Sequence, residues 1–168
     1  MSYSPKHNDK AKILSFIFLF GAIVVWMIGA YIGRFYWVVQ LAAILMMVVG
    51  TQLLGRFVLI DYKYVVQDNN YNGYDFLIYK IQGKKVTKVC YVSLSKVIAI
   101  FRLTDLPDYQ KKYGRTSNRI NYCVNIGAIE TFVLIFRDGK DLIEVRFEPD
   151  RKFADDLAKI AALPSENE

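Results

Sequence analysis

The sequence predicts a two-helix transmembrane hairpin followed by a mainly β domain that a C-terminal α-helix closes. Three observations predict it: two apolar runs without charge, alternating hydrophobicity after them, and an amphipathic stretch near the end. The runs, Ile13 to Gly33 and Phe35 to Gly55, are each 21 residues long, and Arg34 alone separates them. Because about 20 helical residues cross a hydrocarbon core, each run is long enough for one membrane span.

Basic residues beside the runs predict which side of the membrane each flank occupies. Three lysines precede the first run and two basic residues follow the second, whereas Arg34 is the only one between them. The flanking residues are Lys6, Lys10, Lys12, Arg56 and Lys63. Since such residues concentrate in the cytoplasm, we expect a two-pass protein of the inner or plasma membrane with both termini cytoplasmic. A cleaved signal peptide is disfavoured, because the first run exceeds the usual apolar length.

Two glycines in the first run are candidates for helix packing. Gly29 and Gly33 have the GxxxG spacing that lets two helices approach closely. We expect them to pack against the second helix of the same hairpin rather than against a second molecule. Gln40 and Gln52 are the strongly polar residues of the second run, and ionisable groups typical of a transport pathway are missing from both runs.

The rest of the chain has the pattern of an antiparallel β domain with about seven strands. The predicted division is a cytoplasmic tail over residues 1–12, the hairpin over 13–56, the β domain over 57–163 and a tail over 164–168. The predicted strands are Val58 to Val66, Tyr74 to Gln82, Lys85 to Val92, Lys96 to Leu103, Arg119 to Asn125, Thr131 to Arg137 and Asp141 to Phe147. Turn cues at Asn69 to Gly73, Gly83-Lys84 and Asp138-Gly139 separate several of them.

An amphipathic helix is predicted after the last strand. Pro149 and Asp150 are typical of a helix start. Phe153, Leu157 and Ile160 then fall at i, i+4 and i+7, which forms one apolar stripe. We expect this stripe to plug the open end of the sheets.

Seven strands followed by one helix is the element order of a pleckstrin-homology (PH) fold. The chain resembles the bacterial PH-like group of small membrane proteins, including the YcxB-like and YdbS-like families, in which transmembrane helices precede such a domain. The resemblance rests on the hairpin and on three segments, Tyr64-Val65-Val66, Val97-Ile98-Ala99-Ile100 and Phe147-Glu148-Pro149-Asp150. It implies the fold, and a fold does not determine a function.

The sequence offers no familiar catalytic arrangement of cysteine, histidine or carboxylate residues. Cys90 and Cys123 lie on predicted apolar strands, and His7, the only histidine, lies in the N-terminal tail. We expect both cysteines to be free buried thiols. Two cysteines and one histidine cannot form a zinc site unless carboxylates also act as ligands. Asp105 and Asp108 are predicted in a loop without a partner for acid–base work. We therefore expect a protein that is not an enzyme and that holds no metal or cofactor.

Positive charge is concentrated in the middle of the β domain. Ten basic and two acidic residues lie between Lys80 and Arg119, whereas six basic and ten acidic residues follow. If the first strand runs away from the membrane and each following strand reverses direction, the turns after the second, fourth and sixth predicted strands face the bilayer. The candidate lipid-contact residues on this basis are Lys84, Lys85, Lys111, Lys112 and Arg115. Solvated strand edges explain these lysines equally well.

Two other ligands fit the charge pattern poorly. The predicted loop after the first strand, Asp68 to Asn72, has no basic residue, unlike the corresponding loop of phosphoinositide-binding PH domains. Nucleic acid is disfavoured because a membrane anchor precedes a domain of low net charge.

The predicted function is therefore a non-enzymatic integral membrane protein that presents a cytoplasmic PH-like domain for protein assembly or for contact with the anionic leaflet. The alternative is a small accessory subunit of a membrane transporter or channel. The expected partners are membrane lipids and a membrane or cytoplasmic protein, with self-association left open.

Overall fold

The computed structural model describes residues 1–29, 31, 33, 36–69, 73–128 and 130–162, with the side chains of Lys112, Tyr113 and Ala162 excepted. The predicted turn at Arg34, the loop residues 70–72 and the tail 164–168 lie outside the described residues. The chain forms two compact units. One contains residues His7–Ile60, and the other, which we call the β unit, contains Met1–Lys6 together with the chain from Asp61 onward.

Two long helices form the first unit. These are α1, Asp9–Gly29, and α2, Tyr36–Phe57. The amide of Lys10 donates to Oδ1 of Asn8 at 2.6 Å, which satisfies one of the free donors at the start of α1. Large apolar side chains point away from the helix pair, including Phe20 and Met27, which are 65% and 62% exposed.

A seam of small residues joins the two helices. Ser15, Ala22 and Gly29 are buried in α1 at intervals of seven residues, and Ala43 and Gly50 are buried in α2 with the same interval. The hydroxyl of Ser15 donates to the carbonyl of Gly50 at 3.0 Å. Small side chains with this repeat allow two backbones to approach closely along one face.

The first sheet of the second unit has four antiparallel strands in the order β1-β2-β3-β4. They are β1 Ser2–Tyr3, β2 Asp61–Asn69, β3 Gly73–Gln82 and β4 Lys85–Ser93. The sequence pattern does not predict β1, in which Ser2 pairs with Val65 and Tyr3 pairs with Tyr64. The start of β2 lies three residues after the predicted one, because the amides of Val58 and Leu59 both donate to the carbonyl of Leu54 and so still belong to the end of α2.

The second sheet has the strand order β5-β7-β8-β6. Its strands are β5 Val97–Arg102, β6 Asn118–Asn121, β7 Phe132–Asp138 and β8 Asp141–Phe147. The β7–β8 hairpin is antiparallel, as the Asp138-Gly139 turn predicts, whereas the antiparallel β5–β7 pair does not follow the predicted alternation of strand directions, and β6 runs parallel to β8. β6 also ends at Asn121, so the prediction that Cys123 lies on a strand is wrong, although its side chain is buried.

An additional helix, α3, spans Leu106–Tyr113 between β5 and β6. The prediction of a loop around Asp105 and Asp108 is therefore wrong. Pro107 lies in the first turn of α3, where its missing N–H removes no helical hydrogen bond.

Aromatic side chains between the sheets form the core, and helix α4, Arg151–Ala162, closes it. Tyr64, Phe76 and Phe147 are each fully buried, with ring centroids 5.2 to 6.4 Å apart. Leu157 of α4 is also fully buried, as the sequence predicts for the plug. The amide of Phe153 donates to Oδ1 of Asp150 at 2.8 Å, which confirms the predicted helix start.

Candidate functional site

The β3–β4 hairpin carries two of the predicted contact lysines at its tip. Gly83 makes the turn with a positive φ of 58°, which glycine adopts without steric cost. Lys84 and Lys85 are both exposed beside it. Ile81 pairs with Val86 directly behind the tip, and Val86 is 61% exposed. The hairpin is therefore amphiphilic, with two ammonium groups ahead of an accessible aliphatic pair.

The hairpin tip lies at a defined end of the first sheet. Asp61, the first residue of β2, pairs with Ile81, which is two residues before the turn. Asp61 follows Phe57, the last residue of α2, by only four positions in the chain. The tip thus belongs to the end of the sheet at which the chain arrives from the second apolar helix.

The remaining predicted contact residues lie elsewhere in the β unit. Lys111 is on α3 and pairs with Asp108 at 3.5 Å, an exposed contact of little energetic value. Arg115 is exposed in the segment after α3, and the side chain of Lys112 lies outside the described residues. The amide of Ser117 donates to the carbonyl of Leu142 at 2.9 Å, which brings this segment to the start of β8.

The predicted alternation of strand directions fails in the second sheet. Because β5 is antiparallel to β7, the turn after β7 lies beside the start of β5 rather than beside its end. Helix α3 carries the chain back across the sheet, so β5 and β6 run in the same direction. The start of β5 follows Ser93, which pairs with Asp75 at the end of the first sheet opposite to Asp61. The basic residues therefore form two surfaces. The first contains Lys84 and Lys85 at the hairpin tip, and the second contains Lys96 and Arg137 near the start of β5.

The second basic surface surrounds an open groove of about 600 Å³. It lies between the start of β5, helix α3 and the β7–β8 turn. The lining residues are Ser95, Lys96, Val97, Ile98, Tyr109, Arg137, Gly139 and Leu142. Tyr109 stacks on Phe101 with ring centroids 4.9 Å apart, and both belong to the cluster that packs α3 onto the sheet. We name this feature the α3 groove.

A fully buried carboxylate lies on the α3 side of the second sheet. Oε1 of Glu144 is 2.5 Å from Nε of Arg146 and 3.2 Å from Nε of Arg119. Its Oε2 accepts a hydrogen bond from the hydroxyl of Thr116 at 3.0 Å. Alternation along β8 puts Glu144 on the face opposite to Ile143 and Val145, but nothing in the sequence pattern indicates the arginine pair or the burial.

A second polar network ties the N-terminal residues to the β unit. The amide nitrogen Nδ2 of Asn125 donates to Oε1 of Glu148 at 2.7 Å and to the carbonyl of Lys6 at 2.9 Å. Tyr3 lies 5.8 Å from the ring of Phe153. Residues 1–6 are thus an integrated edge of the domain.

The glycines of the helix hairpin differ from each other in their surroundings. A Cβ atom on Gly29 would lie 3.1 Å from Cγ1 of Val39 in α2, which fits the predicted packing within the hairpin. A Cβ on Gly33 would meet none of the described residues within 4 Å, so the described part of the chain shows no close approach there. Gly50, which the GxxxG pattern misses, is tighter than Gly29, because a Cβ there would lie 2.9 Å from Cγ of Leu19.

The thiols and carboxylates of the described residues form no metal site. No group of three or more His, Cys, Asp or Glu side chains in the described ranges is arranged to hold a metal ion. Cys90 and Cys123 are both reduced cysteines, and Sγ of Cys123 contacts Oγ1 of Thr131 at 4.0 Å. Burial raises the pKa of Cys90 to about 11, which keeps this thiol protonated and weakly reactive at neutral pH.

These features define a class of protein: a β domain of two sheets closed by a C-terminal helix, preceded by two helices that are long and apolar enough to cross a membrane. A family model described as a bacterial PH-like domain (DUF6106) matches residues 4–163, a range that contains both helices. The chain belongs to this family. No curated protein and no solved structure matches it.

Proposed function

We propose that the protein is a two-pass membrane protein without enzymatic activity whose cytoplasmic PH-like domain rests on the anionic leaflet through the β3–β4 hairpin. One observation carries the proposal. Lys84 and Lys85 lie at the tip, ahead of the partly exposed Ile81 and the exposed Val86, at the end of the sheet where the chain arrives from α2. Asp61 follows Phe57, the last residue of α2, by four positions, and four residues of chain extend at most about 14 Å.

The pairing of β1 with β2 supports the orientation. It places Ser2 and Tyr3, which precede the first apolar helix, in the same sheet as the strand that follows the second helix. Both flanks of the hairpin then lie on one side of the membrane, as two crossings require. The lysines and arginines near both flanks favour the cytoplasmic side.

Two physical effects would act together at the hairpin tip. Each lysine near an anionic leaflet contributes about 1 kcal/mol of attraction, within a Debye length of about 8 Å at physiological ionic strength. The exposed Val86 side chain adds apolar area that can enter the headgroup region. The first effect weakens with salt, whereas the second does not.

The test uses the full chain in nanodiscs, with a fluorophore on a cysteine introduced at Thr87 and quenching by headgroup spin-labelled lipid. We expect quenching in anionic nanodiscs that decreases at high salt and in the variant Lys84→Glu/Lys85→Glu. Lys152→Glu/Lys159→Glu is the matched control, since both lysines are exposed on α4 and the charge change is equal. Equal quenching of the wild type and the hairpin variant would contradict the proposal.

A second candidate is an accessory subunit of a membrane transporter or channel. It is favoured by Gln52, whose amide is exposed on the outer surface of α2 near its end, where a partner helix could provide a hydrogen bond. Stable copurification with a larger membrane protein, lost in Gln52→Leu, would support this candidate.

A further inference from the structure

We propose that the α3 groove binds a small organic phosphate, a role separate from the leaflet contact of the hairpin. The groove lies at the start of β5, whereas the hairpin tip is at the opposite end of the first sheet. Its volume of about 600 Å³ is within the range of sites that hold metabolite-sized ligands.

The charge of the groove favours an anion. Lys96 and Arg137 line it, and the described lining residues include no carboxylate. Within the described ranges neither cation forms an ion pair, whereas Arg119, Arg146 and Arg151 each contact a glutamate. The guanidinium of Arg137 is thus available for a ligand, and its planar fork suits two oxygens of one phosphate.

Hydroxyl groups favour phosphate over a simple carboxylate. Ser95 lines the groove next to Lys96, and its Oγ lies 3.1 Å from Oγ of Ser93. A phosphate monoester has three terminal acceptor oxygens, one more than a carboxylate. A guanidinium, an ammonium and a hydroxyl can therefore each bind an oxygen of the same group.

The other lining residues favour a ligand in which an organic group is attached to the phosphate. Val97, Ile98 and Leu142 give the groove an apolar wall, and the ring of Tyr109 is fixed by its stacking on Phe101. Inorganic phosphate would leave most of this volume unused. A planar or aliphatic group attached to the phosphate would cover the wall and displace water from it.

The test measures binding of adenosine 5′-monophosphate to the full chain in neutral nanodiscs by isothermal titration calorimetry. Replacing one charged hydrogen-bonding partner typically costs about tenfold or more in affinity, and we expect this loss in Arg137→Gln and in Lys96→Gln. Lys140→Gln is the matched control, because Lys140 lies on the same turn as Gly139 but is not among the described lining residues. Adenosine without phosphate should bind at least about tenfold more weakly.

A second arm distinguishes a soluble ligand from a lipid headgroup. Nanodiscs containing phosphatidic acid compete with adenosine monophosphate if the headgroup reaches the groove, and leave its affinity unchanged if the ligand is soluble. Either result supports a phosphate site. The proposal is overturned if neither probe binds saturably, or if Arg137→Gln and Lys96→Gln bind like the wild type.

Discussion

The hydroxyl of Tyr64 donates a hydrogen bond to the backbone carbonyl of Tyr122 over 2.9 Å, and this contact joins the two sheets through a fully buried side chain. The same hydroxyl accepts a hydrogen bond from the amide of Glu148 at 3.2 Å. Burial raises the pKa of Tyr64 well above its usual range, so the phenol stays protonated and keeps its donor.

Replacing Tyr64 by Phe should destabilise the β unit by about 1 to 3 kcal/mol, because two backbone groups lose their buried partner. The measurement is thermal unfolding of the full chain in detergent. Tyr74→Phe is the control, since Tyr74 is 40% exposed and water can replace any contact of its hydroxyl. Equal unfolding midpoints for both variants would show that the hydroxyl of Tyr64 does not stabilise the junction.

The buried carboxylate of Glu144 gives a second prediction. Glu144→Gln should cost about 3 kcal/mol, because the guanidinium of Arg146, whose side chain is only 18% exposed, loses its counter-charge. Arg119→Gln should cost less than about 1 kcal/mol, since that side chain is 55% exposed and solvent screens the pair. Unfolding midpoints of the two variants measure this difference, and the reverse order would disprove the assignment.

Periodicity and turn chemistry were sufficient to predict the principal elements of the fold. The charge-free runs predict both long helices, and the turn cues at Gly83 and Gly139 mark hairpins in which both glycines have positive φ. The apolar stripe on α4 predicts its buried face. These features are local, so they are visible in the sequence.

The features that the sequence does not reveal depend on tertiary contacts. β1 is two residues long and exists because Tyr3 pairs with Tyr64, which is distant in sequence. α3 begins Leu106-Pro107-Asp108, a composition shared by turns, and packing of Tyr109 onto the sheet selects the helix. Because α3 reverses the path of the chain, it also separates the basic residues into two surfaces, which strand counting could not predict.

Alkaline pH should destabilise the β unit partly through Cys90. The thiol has a pKa of 9.0 when exposed and about 11 in the fold, where burial raises it. Above pH 9 the unfolded chain therefore binds fewer protons than the folded chain, and stability falls as pH rises. The contribution of the Cys90 thiol to the free energy of unfolding is complete below pH 9 and is lost as pH rises through 11. Cys90→Ala should show a shallower decline of the unfolding midpoint across this interval, and an unchanged slope would contradict the assignment.

The small-residue seam of the helix hairpin predicts a difference between two glycines of α2. A Cβ on Gly50 would lie 2.9 Å from Cγ of Leu19 and 3.2 Å from Cβ of Phe18, so a side chain there must separate the helices. A Cβ on Gly55 would meet no atom of the described residues within 4 Å, which makes this position in the same helix the matched control. Overpacking a tight contact typically costs about 1 to 3 kcal/mol, whereas a glycine with open surroundings gains helix propensity on substitution. Gly50→Leu should therefore lower the thermal stability of the full chain in detergent, whereas Gly55→Leu should not. Size-exclusion chromatography of heated samples measures the unfolding midpoint. If both variants retain the midpoint of the wild type, the close approach of α1 and α2 at Ser15 and Gly50 does not stabilise the hairpin.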